Sequence, residues 1–123
     1  MSRRSARQLL ADMLERIERI AGYVAGVDRD GFLRDSKTSD SVVRNLEVIG
    51  EAASRLPSEF RGRYPEVPWG RIVGLRNRVV HAYFDVDLEL VWEIVRNDLP
   101  DLRSRLLNLP MEPDEETEET PLG

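Results

Sequence analysis

Hydrophobic side chains recur along this chain at the three-and-four spacing that marks one face of a helix, in one segment after another. From Ala6 to Val24 they fall at Leu10, Met13, Leu14, Ile17, Ala21 and Val24, which predicts a long first helix. Asp28, Asp30, Gly31 and Lys37 then form a polar connection, and a second helix follows with Val42, Leu46, Ile49, Ala53 and Leu56 on one stripe. Ser39 or a neighbour is its expected cap, because a short polar side chain can accept a bond from an unpaired N–H of the first turn. Pro57 ends it, and Gly62, Pro65 and Pro68 leave room only for a helical turn at Ser58 to Arg63.

Pro68 suits the first turn of a third helix, where its missing N–H costs nothing, and that helix is expected to run from about Trp69 to about Tyr83. Asp85 or Asp87 should cap a fourth, which turns Leu88, Val91, Ile94, Val95, Leu102, Leu106 and Leu109 inward and kinks at Pro100. No segment carries the two-residue period of a strand. The pattern therefore predicts an all-α fold, an antiparallel up-and-down bundle of about four to five helices over residues 1–110.

A chain of 123 residues suits one such domain. Composition adds an acidic end: residues 112–120 hold six acids and no base, and 111–123 are expected to be a disordered tail. The net charge of −5 is largely that tail's doing, for residues 1–111 set 18 basic side chains against 17 acidic ones. A nearly neutral body can carry a local basic site, so the charge neither argues for nor excludes a nucleic-acid partner. Seventeen of the 18 cations are arginine, the side chain suited to bidentate phosphate contacts, although a bias in genomic base composition produces the same excess. The absence of cysteine removes disulfides, thiolate metal sites and thiol nucleophiles. No apolar run approaches the ~18 to 20 residues of a membrane span, so neither a signal peptide nor an anchor is expected and a cytoplasmic location is.

Candidate chemistry gathers in Arg76-Asn77-Arg78-Val79-Val80-His81-Ala82-Tyr83, which holds the only histidine. On an ideal helix with Arg76 at 0°, the positions of Ile72, Leu75, Val79 and Ala82 occupy roughly 240° to 320°, the core face, while Val73 and Val80 lie near about 40° to 60°. Arg76 thus projects between two apolar strips. A guanidinium so flanked is expected to be partly desolvated and to require a carboxylate or an anionic ligand. The second strip implies a second packing neighbour, which raises the expectation of a homodimer. Asn77 and His81 share a stripe, about 40° apart, and Tyr83 falls on the line of Arg76. Arg44, Glu47 and Glu51 flank the apolar stripe of the second helix, where they either order Arg76 from behind or face solvent. Each residue also has a plain role open to it: His81 as a helix-end cap, Asn77 as a structural hydrogen-bonder, Tyr83 as a boundary aromatic. Trp69 and Trp92 read as core anchors. The carboxylates lack the histidine-rich spacing of a metal site, and no metal or cofactor is expected.

The string from Arg76 to Tyr83 resembles the RNxxxHxY signature of the HepT-like toxins, a branch of the HEPN superfamily. Arg44 to Ala52 is similar to that family's second helix and Trp69 to Leu75 to its lead into the motif, and the resemblance extends to about Leu109. It implies a metal-independent endoribonuclease of a type VII toxin–antitoxin system, with Arg76 and His81 catalytic, Asn77 and Tyr83 supporting, and paired protomers sharing a cleft. It also implies adenylylation of Tyr83 by a cognate MntA-type nucleotidyltransferase antitoxin, which would put a phosphate where the RNA phosphate binds. The chemistry agrees, since RNA brings its own nucleophile, the 2′-OH, and an imidazole and a guanidinium suffice to move protons and stabilise the phosphorane. Arg76 and His81 stand about 140° apart on a straight helix, however, so either the helix unwinds near His81 or a second chain completes the site. The alternative is a non-catalytic helical module that only binds the nucleotidyltransferase.

Overall fold

A computed structural model describes residues 4–82 and 85–110, with the backbone alone at His81 and Ala82. Helix α1 spans Ala6–Val24, as the periodicity predicts, and starts in a capping box: Ser5 Oγ accepts from the Gln8 N–H at 3.1 Å, while Gln8 Oε1 accepts from the Ser5 N–H at 2.8 Å. It buries Leu9, Leu10, Met13, Ile17, Ile20 and Val24, so that Ile20 takes the inward place expected of the exposed Ala21.

The expected polar connection contains a further helix, α2 (Arg29–Arg34), which Asp28 caps by accepting from the Gly31 N–H at 2.8 Å. Its one buried side chain, Phe32, is fully enclosed, with its ring centroid 5.2 Å from that of Trp92. That single apolar residue is too little to register as a periodicity. Helix α3 (Ser36–Arg55) likewise begins a turn before the expected Ser39, because Asp35 is the cap. Its carboxylate accepts from the Thr38 hydroxyl at 2.7 Å and the Thr38 N–H at 3.2 Å, bonds that hold the Asp35 carboxyl below the usual carboxylate range. Ser39 sits inside the helix, buried, donating to the Ser36 carbonyl. The predicted stripe from Val42 to Leu56 is buried throughout, α1 packs along it, and the short α4 (Ser58–Arg63) adds Phe60 to the same core.

The third helix departs most from expectation. The chain forms two single turns, α5 (Trp69–Val73) and α6 (Leu75–Val79), joined at Gly74. It then leaves the helical conformation at Val80 (φ −107°, ψ 107°) for a short strand, β1 (Val80–Ala82), antiparallel to β2 (Asp85–Val86). Glycine lowers the helical preference at the first break, and the β-branched pair Val79-Val80 does so at the second. Pairing Val80 with Val86 and donating the Asp87 N–H to the Val79 carbonyl at 2.8 Å satisfies the backbone groups released there. A two-residue and a three-residue strand are too short to show a period, which is why the pattern gave no sign of them.

Asp87 caps α7 (Leu88–Glu93), accepting from the Leu90 N–H at 3.0 Å. Before Pro100, where a kink is expected, the chain runs through a π-helical turn, Ile94–Asp98, ahead of α8 (Leu99–Leu107). The Leu99 N–H reaches five residues back to the Ile94 carbonyl. Proline offers no N–H to the preceding turn, and the wider register accommodates that loss. Val91, Ile94, Val95, Leu102, Leu106 and Leu109 all face inward. The fold is thus the all-α bundle predicted, with a small hairpin inserted after the motif helix; the acidic tail, 111–123, lies outside the described residues.

Candidate active site

Two short helices cannot hold a site by themselves, since isolated helical turns are unstable in water. They are held by α3. Ile72, Leu75 and Val79 are buried, as the core face predicted for this segment requires. Gly50 of α3 lets the α5 backbone approach so closely that a Cβ there would lie 3.0 Å from the Ile72 carbonyl oxygen and 3.5 Å from that of Val73. This contact fixes the distance between α3 and the motif.

Along it runs a cleft of about 290 Å³ lined by Glu47, Gly50, Glu51, Ser54, Val73, Arg76 and Asn77. Arg76 projects here, with Nε 3.3 Å from Glu47 Oε2. The expected desolvation of Arg76 does not occur: its side chain is 68% exposed, because the helix breaks on both sides of it and the two apolar strips diverge. Val73 is left 36% exposed, whereas Val80 follows the strand and packs on the core. The answering carboxylate does exist. Of the acids flanking the α3 stripe, Glu47 turns to Arg76, while Glu51 receives Arg55 at 3.1 Å along its own helix. Arg44 is exposed, one turn before Glu47, and forms no ion pair among the described residues.

Asn77 is exposed and shares the cleft with Arg76 rather than a stripe with His81, because α6 ends at Val79. The backbone of His81 lies in β1, past the helix end, so the wheel that set it about 140° from Arg76 no longer applies. Its side chain, and all of Tyr83, lie outside the described residues. Trp69 and Trp92 are buried, and Trp69 Nε1 donates to the Tyr64 carbonyl at 2.9 Å. Both are core anchors, as expected. Gly50 went unnoticed in the sequence, although a glycine beside Ile49 in a helical stripe is a signal of close backbone approach.

Among the described residues, no three His, Asp or Glu side chains cluster in a way that would hold a metal ion, and no helix is long and apolar enough to cross a membrane.

Comparison with known proteins shows the family: the model of the family Ribonuclease HepT-like matches residues 13–109, and the chain belongs to that family. A Thermococcus cleftensis protein named "Probable ribonuclease HepT" is 37% identical over 87% of this chain and 97% of its own length. One from Methanocaldococcus jannaschii, "Putative RNase MJ0127", is 41% identical over 81% of this chain and 83% of its own. Another, from Caldanaerobacter subterraneus subsp. tengcongensis and named "Putative RNase TTE0752", is 34% identical over 84% and 92%. No solved structure matches.

Proposed function

We propose that this chain is a metal-independent endoribonuclease, acting as the toxin of a HEPN and nucleotidyltransferase pair. One observation carries the reading: in a chain of the HepT-like family, the motif from Arg76 to Tyr83 is intact, with Arg76 standing exposed in a cleft. An exposed guanidinium answered by a single carboxylate can exchange that partner for a phosphate, whereas a fully buried pair would resist the exchange.

In the reaction, Arg76 neutralises the phosphate and the charge that builds on it. His81 takes the proton from a ribose 2′-OH as the 2′-oxygen attacks phosphorus, the P–O5′ bond breaks, and the departing 5′-oxygen receives a proton. The products are a 2′,3′-cyclic phosphate and a 5′-hydroxyl. Since each chain has one histidine, a homodimer that brings two motif segments together supplies the base and the acid from separate copies. The exposed Val73, on the rim of the same cleft, is the apolar surface such a pairing would cover. Adenylylation of Tyr83, two residues beyond His81, would place a competing phosphate beside Arg76 and silence the enzyme.

The test is RNA cleavage in a chelator on unmodified protein and on Arg76→Ala and His81→Ala. Activity in the wild type, with both variants reduced at least 100-fold, is expected at the order of magnitude that such groups contribute. Undiminished cleavage by either variant would overturn its assigned role. Silence of the unmodified wild type would leave a helical module that binds the nucleotidyltransferase.

A further inference from the structure

The face of the motif segment turned away from Arg76 carries two further arginines. Arg71 of α5 and Arg78 of α6 lie on one side of the segment, and between them and the π-helical turn opens a cleft of about 240 Å³. Asn97, Asp98 and Asp101 line its opposite wall. Asp98 is the shared partner of both guanidinium groups, at 3.9 Å from Arg71 and 3.7 Å from Arg78. These separations exceed the ~2.7 to 2.9 Å of a charge-assisted hydrogen bond, so the two arginines surround one carboxylate without a close bond to it. The next acid along the helix, Asp101, is held by Arg105 at 2.8 Å. Arg78 is only 27% exposed, and its charge therefore acts through a less screened medium than that of a fully solvated surface arginine.

We propose that Arg71 and Arg78 hold a backbone phosphate of the RNA strand, on the opposite side of α6 from the reacting phosphate at Arg76. This rests on the ribonuclease reading and adds a binding subsite to it. The strand would pass over the C-terminal end of α6, where the chain turns into β1 and carries His81. A helix with its side chains is roughly 10 to 12 Å across, so the two phosphates would lie a few nucleotides apart. Asn97 offers an amide donor to the same phosphate, and Asp98 makes the site selective for a ligand charged enough to displace it.

The experiment measures binding of a single-stranded 2′-O-methyl RNA, which has no 2′-OH to attack, to the full chain across a series of salt concentrations. For single strands each phosphate contact contributes about 0.7 to the slope of log K against log salt. Arg71→Ala with Arg78→Ala should reduce the slope by about 0.7 and raise KM for a cleavable RNA, with kcat changed little. The Arg71→Lys and Arg78→Lys pair, which keeps the charge and guards against a folding defect, should keep the slope. Asp98→Asn should tighten binding at low salt. If the wild type binds RNA and the double alanine variant, still folded, binds with the same slope, the arginines merely brace α5 and α6 against the π turn and the proposal is wrong. Failure of the wild type to bind or cleave any RNA would instead overturn the ribonuclease reading, and the subsite with it.

Discussion

Gly50→Ala tests the contact on which the placement of the motif depends. The substitution adds one methyl group at a buried position of α3, where it would meet the Ile72 carbonyl oxygen at 3.0 Å and that of Val73 at 3.5 Å. Two effects oppose each other. Alanine is better than glycine in a helix interior by up to about 1 kcal/mol. Against this, a backbone oxygen cannot rotate away as a side chain can, and overpacking a well-filled site costs about 1 to 3 kcal/mol. Gly22 of α1 separates the terms, for a Cβ there meets nothing within 4 Å. Gly22→Ala should therefore gain stability by up to about 1 kcal/mol, and the difference between the two variants isolates the steric part, about 1 to 3 kcal/mol. For a domain of this size each kcal/mol corresponds to roughly 3 to 5 °C in Tm.

The measurement is urea unfolding of both variants, with an unchanged slope confirming that the unfolded states are alike. Function should follow, since α6 carries Arg76 and a displaced α5–α6 would move that guanidinium within the cleft it lines. Cleavage by Gly50→Ala should fall while that by Gly22→Ala does not. Equal stabilisation by both substitutions would refute the argument that α5 is held at the limit of approach.

The other expectations are simpler. Phe32→Ala removes a fully enclosed ring beside Trp92 and should cost about 3 to 5 kcal/mol, read by denaturation together with the fluorescence of Trp92; a loss below about 1 kcal/mol would mean that α2 is not part of the core. Asp35→Ala removes the α3 cap. Because bonds from Thr38 lower the Asp35 pKa in the folded state, its contribution is complete above the ordinary carboxylate value, near pH ~4, and is lost as pH falls through the lower folded value. The wild type should accordingly exceed the variant in Tm at neutral pH and converge with it in acid, whereas a constant gap down to the most acid pH would contradict the assignment. Glu47→Gln breaks a largely solvated ion pair, so stability should change by less than about 1 kcal/mol and kcat by no more than about fivefold, with KM little altered; a hundredfold loss would make Glu47 a participant in the chemistry.

What the sequence made legible follows from the length of each signal. Helix α1 buries seven apolar side chains and α3 five, enough in each to set a helical period, although in α1 Leu9 and Ile20 lie inward and Ala21 does not. Helix α2 carries one, Phe32, and a single apolar side chain leaves its segment with the pattern of a polar connection. The motif segment has a correct core face, Ile72, Leu75 and Val79, yet a single apolar period cannot reveal breaks at Gly74 and Val80, because each break adds little to the count of matched positions. The pairing of Glu47 with Arg76 was within reach from their chemistry, but its exposure was not: the wheel assumed a continuous helix, and in a continuous helix Arg76 would sit between two apolar walls. The surroundings of Arg78 are hidden in the sequence for a related reason. Its partner, Asp98, arrives through a π turn that only the preference of Pro100 for a helix start could hint at.

The irregular features of the fold are grouped around one segment, and the regular ones lie away from it. Helices α1 and α3 pack through uninterrupted stripes and supply rigidity. The residues of the motif lie on two single turns and the start of a strand, bounded by Gly74, the exit at Val80 and, across the second cleft, the π turn. A continuous helix from Trp69 to Tyr83 would have presented Arg76 and His81 on different sides and kept them there. Ending the helix at Val79 takes the backbone at His81 out of the helical direction and into β1. On the proposed reading, that helix end is where a strand of RNA passes from Arg76 to Arg78. The cost is a segment too short to be stable alone, and the buried Ile72, Leu75 and Val79, together with the close approach at Gly50, are what compensate for it.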